Sequence, residues 1–389
     1  MWSLGVLLYS MASGSPPFLE DDHDKTFEAI KTSPYKPLNS SITKELRDII
    51  YSLLNKNPDF CFIGTGLSFV LPTICVDLLK IPVLRTTALR FCSPDELVDT
   101  KQTPVWKKLP NMEPVDKLAD EFGLSFNDDG ELVEETGEKY QFQKFPGEAN
   151  KNQQRYDQVG RLSLNIVQQV MEVELKKVYF HKDKRGTYIF VSEGYEKRSE
   201  LLVLMQGSGV VRAGQWSRRL LLNDSIDKGT QLPYIRKGLA NGWGIIVMNP
   251  NDNYPLEGCR DANEHARYVW KHFIEGQLNI KKIAIVAHSA GGGIVSHLLQ
   301  AYTQDFHRRV LAIAFTEATY SKVPSSSQKY VESVTRNWVA NGKLLGDTVS
   351  TAGILAVSAG TTVHEETSHN AIDDVFRYIW LKFAQGFPS

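Results

Sequence analysis

Short runs of consecutive apolar residues recur along the chain from about Leu109 to the end. Each run has the length of a strand and is bounded by glycine, proline or polar residues, which is the pattern of a strand buried on both faces. The predicted strands are Val178–His181, Thr187–Ser192, Leu201–Gln206, Gly244–Asn251, Lys281–Ser289, Val310–Phe315 and Gly353–Gly360.

Amphipathic segments separate these runs, and a turn-rich segment at Asn127–Gly130 predicts an earlier β-hairpin. The predicted helices span about Gln153–Lys176, Pro233–Asn241, Asp261–Glu275, Gly292–Tyr302, Gln328–Ala340 and Asn370–Phe383. Strands that alternate with helices predict an α/β class, with a doubly wound, mostly parallel sheet covered on both faces. Functional side chains are then expected at the carboxyl ends of the strands.

A serine follows one of these strands in the segment AHSAGGG, Ala287 to Gly293. A sharp turn from strand to helix needs small neighbours, and the pattern G-x-S-x-G supplies them. Here Ala287 replaces the first glycine and Gly291 is in place. The turn predicts an exposed Ser289 hydroxyl, and it directs the Ala290 amide towards a developing oxyanion.

Three further sets of residues follow strands at the same edge of the sheet. Gly207, Ser208 and Gly209 follow Leu201–Gln206, and they supply either a second oxyanion donor or a turn that merely needs glycine. Glu317 follows Val310–Phe315, as either the acid of a triad or a solvated glutamate. His364 and His369 follow the last strand, and either could be the base that a serine nucleophile requires. His288, which directly precedes Ser289, could line a pocket beside the serine without reacting.

Ser289, Glu317 and His364 follow one another along the chain as serine, acid and histidine, which is the order of an α/β-hydrolase triad.

The formal net charge is −1, which argues against direct nucleic-acid binding, since that needs a basic surplus. The four cysteines lie far apart without a CxxC pair, so neither a zinc site nor a disulfide framework is expected. No cofactor and no other metal site are expected. The apolar segment Phe60–Ile81 has the length of a membrane span, but Pro72 and Asp77 interrupt it.

The first 60 residues resemble part of a protein kinase C-terminal lobe. The resemblance rests on the helix Trp2–Phe18 and on the later amphipathic helix pattern that ends at Asn57-Pro58. The sequence has no glycine-rich phosphate loop, ATP-pairing lysine, catalytic-loop aspartate or DFG motif. We therefore expect a fragment without kinase activity at residues 1–60, an apolar linker at 61–108, and a hydrolase-like domain at 109–389.

The remaining segments resemble the Arb2, or argonaute-binding, domain family from about Glu121 to the end. The matching blocks are Leu201–Tyr254, EHARYVWKHFI (Glu264–Ile274), VAHSAGG (Val286–Gly292) and VSAGTTVHEETS (Val357–Ser368). The resemblance places Ser289 on the family's elbow serine. It also puts His364 on the family's histidine, in preference to His369. Animal members carry tyrosine at the position of Ala290 and a Lys/Glu-rich insert after the first block, and this chain has neither.

The resemblance implies a role in gene silencing, heterochromatin or RNA processing, through argonaute or chromatin-modifying partners, in the nucleus or cytoplasm. A second reading is a serine hydrolase that acts on an ester, thioester or other acyl group through Ser289, His364 and Glu317. In that reading Ala290 and Gly207–Gly209 hold the oxyanion. A kinase-related fusion, inactive as it stands, is a third reading, and no membrane span is expected.

Overall fold

A computed structural model describes residues 2–18, 113–321 and 323–386, with nine single positions between residues 25 and 54. The chain divides into two compact units, Met1–Cys92 and Ser93–Ser389. In the first unit, helix α1 covers Trp2–Ser13 and buries Leu8 and Tyr9, as the apolar pattern there predicts. Of the predicted helix pattern that ends at Asn57-Pro58, only Arg47, Ile50, Tyr51 and Leu54 are described, and the segment Phe60–Ile81 lies outside the described residues.

The second unit is built around one sheet, to which nine strands contribute in the described part of the chain. A separate hairpin, β1 (Leu124–Phe126) with β2 (Leu132–Glu134), confirms the predicted turn. The sheet strands are β3 (Leu175–Tyr179), β4 (Tyr188–Ser192), β5 (Glu200–Met205), β6 (Gly244–Val247), β7 (Lys282–His288), β8 (Val310–Thr316), β9 (Thr335–Val339), β10 (Thr348–Ser350) and β11 (Leu355–Ser358).

The strand order is β10-β11-β9-β8-β7-β5-β6-β4-β3. From β11 to β6 the neighbouring strands are parallel, whereas β10, β4 and β3 each run antiparallel to the strand beside them. Every residue of β6 and β8 is buried, because helices cover both faces of the sheet. The predicted α/β-hydrolase-like fold class is confirmed.

Helices precede, connect and follow the strands of this unit. They are α2 (Glu113–Phe122), α3 (Ala149–Glu174), α4 (Arg218–Asn223), α5 (Ile226–Gly229), α6 (Leu232–Ala240), α7 (Ala262–Val269), α8 (Gly291–Ala301), α9 (Thr303–Arg309), α10 (Ser325–Val334), α11 (Thr367–Asn370) and α12 (Ile372–Gln385). Helix α7 continues into one π-helical turn, Trp270–Ile274. None of the helices that the structure describes is long and apolar enough to cross a bilayer.

The predicted helix Gln328–Ala340 is wrong in its second half. Helix α10 ends at Val334, and Thr335–Val339 is the strand β9, which pairs with β8 on one side and β11 on the other. The apolar residues of this short stretch fit either periodicity, so pairing with two neighbouring strands decided its conformation.

Candidate functional site

The turn between β7 and α8 has the conformation that the AHSAGG pattern predicts. Ser289 has φ of 51°, in the left-handed region that costs a residue with a side chain about 1–3 kcal/mol. Three hydrogen bonds fix the residue. Its N–H donates to the Thr316 carbonyl at 3.2 Å, and its own carbonyl accepts from Gly292 at 3.2 Å and Thr319 at 3.1 Å. The surrounding backbone therefore holds the serine in its strained conformation.

Gly207 lies directly against this serine. A Cβ atom added to Gly207 would lie 2.9 Å from the Ser289 Cβ and 3.5 Å from its Oγ. The second residue after β5 thus has to be glycine for the backbone to approach Ser289 so closely. The structure brings the predicted Gly207 and Ser289 together, although they are 82 positions apart in the sequence.

The loop of residues 207–211 has its carbonyl groups tied to side chains. Asn251 donates to the Gly207 carbonyl at 2.7 Å and to the Val211 carbonyl at 3.0 Å. Arg212 donates to the carbonyls of Gly209 at 3.3 Å and Val211 at 3.2 Å. Asn251 and Arg212 were not predicted as site residues, because nothing in the local pattern shows that their side chains reach this loop.

The N–H groups of the same loop have no acceptor within the part of the chain that the structure describes. Residues 207–211 donate no backbone hydrogen bond to any residue that the structure describes, and the same is true of Ala290. Consecutive free N–H groups beside a helix N-terminus favour negative charge. This arrangement is what an oxyanion site requires, and the assignment of Gly207, Ser208, Gly209 and Ala290 as its donors stays a prediction.

His364 lies in the turn His364–Glu366 and is exposed. Its ring centroid is 4.8 Å from that of His288, the residue that precedes the serine. The structure therefore brings His364 to the elbow. Arg219 on α4 holds this turn through two hydrogen bonds to Glu365, at 3.1 and 3.2 Å. Burial acts to raise the pKa of Glu365, but the bonds from Arg219 outweigh it, so the pKa is lowered.

His288 is buried, and its ring is fixed by β8. Its Nδ1 lies 2.8 Å from the Thr316 carbonyl, which can only accept, so Nδ1 carries the proton. Burial lowers the pKa of His288 to about 4, and the neighbouring His364 contributes in the same direction. His288 therefore stays neutral near pH 7, and a proton taken up by His364 would not face a second cation.

Glu317 lies at the end of β8 with φ of 50°. Its carboxylate accepts a hydrogen bond from the Ala340 N–H, and its own N–H donates to the Trp338 carbonyl at 2.7 Å. Among the described residues no hydrogen bond joins Glu317 to His364. The role of Glu317 as the residue that orients His364 stays a prediction.

His369 lies one turn beyond His364 and is held elsewhere. Burial lowers its pKa, and its neighbours are Asp224, Asp227 and Lys228, in and beside α5. The structure gives it no contact with His288, whereas His364 has one. Within the described ranges, no group of three His, Cys, Asp or Glu side chains could hold a metal ion.

We expect the stability of the protein to fall on acidification because of its buried histidines. Burial lowers the pKa of His265 to about 3, and its Nε2 accepts the Asn249 N–H at 3.0 Å. Between this value and the unfolded pKa near 6.5, the unfolded chain binds more protons, so stability decreases as pH falls from about 6.5 to 3. His265→Gln should reduce the pH slope of the unfolding free energy by up to about 1.4 kcal/mol per pH unit.

Urea unfolding at several pH values between 4.5 and 7 would measure that slope. The exposed His272 provides the matched control, and His272→Gln should leave the slope unchanged. An unchanged slope in His265→Gln would mean that His265 is not held neutral in the folded state.

We also expect Asn251 to control the reactivity of the serine. In Asn251→Ala the Gly207 and Val211 carbonyls lose their common donor, so the free N–H groups are no longer held in place. The rate at which a fluorophosphonate labels Ser289 should fall about 10- to 100-fold, as expected for displaced catalytic groups. The control is Asn253→Ala, which alters an exposed asparagine two residues away. Equal labelling rates in the two variants would contradict the expectation.

Most of the second unit matches the profile of one domain family. The Arb2 domain profile matches residues 116–256 and 252–343. A FAM172 family protein homologue from Caenorhabditis elegans is 39% identical over 208 residues, which cover 51% of this chain and 66% of that protein. The Cotranscriptional regulator ARB2A of Homo sapiens is 30% identical over 327 residues, covering 66% of this chain and 78% of the human protein.

Two further similarities are more limited. Protein kinase C delta type from Mus musculus is 48% identical over 59 residues, which are 15% of this chain and 8% of that kinase. The kinase resemblance is thus confined to a short fragment. Among solved structures, a histone deacetylase from Saccharomyces cerevisiae is similar with a TM-score of 0.43 and 13% identity, covering 57% of this chain and 97% of the solved chain.

Proposed function

The chain belongs to the Arb2 domain family, and on that basis we propose that it acts in cotranscriptional gene regulation through protein interactions. The proposal is supported by the human relative, which is named a cotranscriptional regulator. We further propose that the partners are argonaute or chromatin-modifying proteins and that the chain works in the nucleus. The finer proposal rests on the family resemblance alone.

Affinity capture of the full chain from native nuclear extract tests this role. The expected result is enrichment of argonaute, chromatin-modifying or RNA-processing proteins over an α/β-hydrolase of unrelated family used as bait. Recovery of none of these classes by a folded bait would contradict the interaction role.

We propose as a second function that Ser289 is an acyl-transfer nucleophile. One observation favours it: free backbone N–H groups surround a serine that is held in a strained, partly exposed conformation. Strained backbone conformations cluster at functional sites, where the surrounding structure holds them in place. The two functions are compatible, since a binding protein can keep a reactive serine.

The chemistry would follow from these groups. The Ser289 Oγ attacks an acyl carbonyl carbon while His364 takes its proton, and the free N–H groups of Ala290 and the 207–211 loop hold the oxyanion. His364 then gives the proton to the leaving alcohol or thiol, and Glu317 orients the imidazole. Water, activated by His364, releases the acyl group as a carboxylic acid.

A fluorophosphonate probe tests the second function with Ser289→Ala as its control. Labelling that the variant loses would establish an activated serine. Ester and thioester substrates would then be screened. If folded wild-type protein is not labelled, the elbow has no activated nucleophile and only the interaction role stands.

A further inference from the structure

A groove lies at the end of the sheet opposite to Ser289. It encloses about 570 Å³ where α3 leads into β3 and where β4 ends. Its position follows from topology, because the end of β4 lies beside the start of β6, where the Ser192 hydroxyl accepts the Ile245 N–H at 2.9 Å. Ser289 lies at the carboxyl ends of the parallel strands, so the groove is separate from the candidate acyl site.

The floor of the groove is apolar. Val178 on β3, Val191 on β4 and Phe273 from the π-helical turn line it. Val173, on the last turn of α3, borders it with 54% of its surface exposed. An aliphatic chain laid along this floor would bury apolar surface that water now covers.

The rim of the groove is acidic. Glu172, Glu174, Glu193 and Glu196 line it, against one basic lining residue, Lys176. Glu172 forms an ion pair with Lys177, with 3.6 Å between the carboxylate oxygen and the Lys177 Nζ. The other three glutamates form no ion pair with any residue in the described part of the chain. The groove therefore combines an apolar floor with carboxylates whose charge is not locally balanced.

We infer that this groove binds a basic segment of a partner protein. A lysine or arginine side chain matches it in two respects, since its methylene stem packs on an apolar floor while its charged head reaches carboxylates at the rim. Opposite charge across the contact steers association and excludes acidic partners. This inference specifies a basic partner for the proposed interaction role, on which it rests, and it does not depend on the reactivity of Ser289.

Fluorescence anisotropy with the full chain tests this inference. The probe is a fluorescein-labelled octapeptide of alternating lysine and valine, and the same length of alternating glutamate and valine is the reference. The lysine peptide should bind, more weakly as salt is raised, and the glutamate peptide should not. In Glu174→Lys/Glu193→Lys the affinity for the lysine peptide should fall at least 10-fold.

The matched control is Glu135→Lys/Glu138→Lys, which makes the same change of net charge at two exposed glutamates near the β1–β2 hairpin. It should bind like the wild type, and thermal unfolding checks that both variants are folded. An equal loss in the two variants would overturn the inference, because net charge alone would then explain binding. Absence of binding of the lysine peptide would also overturn the inference. If spermine bound in the groove and the lysine peptide did not, the ligand would be a small polyamine and not a protein segment.

Discussion

His364→Ala should slow fluorophosphonate labelling of Ser289 by about 100- to 10,000-fold, the usual contribution of a general base. The expectation rests on the position of His364 beside His288, 4.8 Å between ring centroids, at the elbow that carries the serine. Without an imidazole nothing at the site takes the serine proton, because His288 donates its Nδ1 proton to Thr316 and has a pKa lowered to about 4. The rate is measured by gel fluorescence against time.

His369→Ala is the matched control for this change. His369 is the other histidine that follows the last strand, and its environment is α5 rather than the elbow. Its variant should label at the wild-type rate. If the two variants lost reactivity equally, or if His364→Ala kept the wild-type rate, His364 would not be the base.

Gly292→Ala should lower the free energy of unfolding by about 3 kcal/mol, near the upper end of what overpacking a core costs. A Cβ atom at this position would lie 2.5 Å from the Thr319 carbonyl oxygen and 2.9 Å from the Ala318 Cβ. The oxygen belongs to backbone that also donates the Thr319 N–H to the Ser289 carbonyl. Relief of the clash would therefore shift the segment that holds Ser289.

The adjacent residue of the same helix provides the control. A Cβ atom at Gly293 would meet nothing within 4 Å, so Gly293→Ala should raise the free energy of unfolding by up to about 1 kcal/mol through helix propensity. Urea denaturation of both variants measures the difference. Two variants of equal stability would show that the α8 N-terminus does not pack as tightly against Thr319 as the structure has it.

The sequence alone determined the fold class and the position of the elbow serine. Continuous apolar strands such as Val310–Phe315 can only be buried on both faces, which requires a parallel sheet with helices on each side. The small residues around Ser289 predict the elbow because a strand-to-helix turn leaves no room for others. Both inferences depend on local sequence, so they hold without knowledge of distant contacts.

Tertiary structure decided the rest. Thr335–Val339 is a strand because β8 and β11 flank it, although the preceding residues continue a helical pattern. Asn251 donates to the carbonyl of Gly207, 44 positions away, and Arg219 donates to Glu365 in the turn that carries His364. Such contacts join residues far apart in the chain, and local periodicity carries no information about which side chain meets which backbone group. A motif therefore locates the serine, whereas the fold alone sets its surroundings.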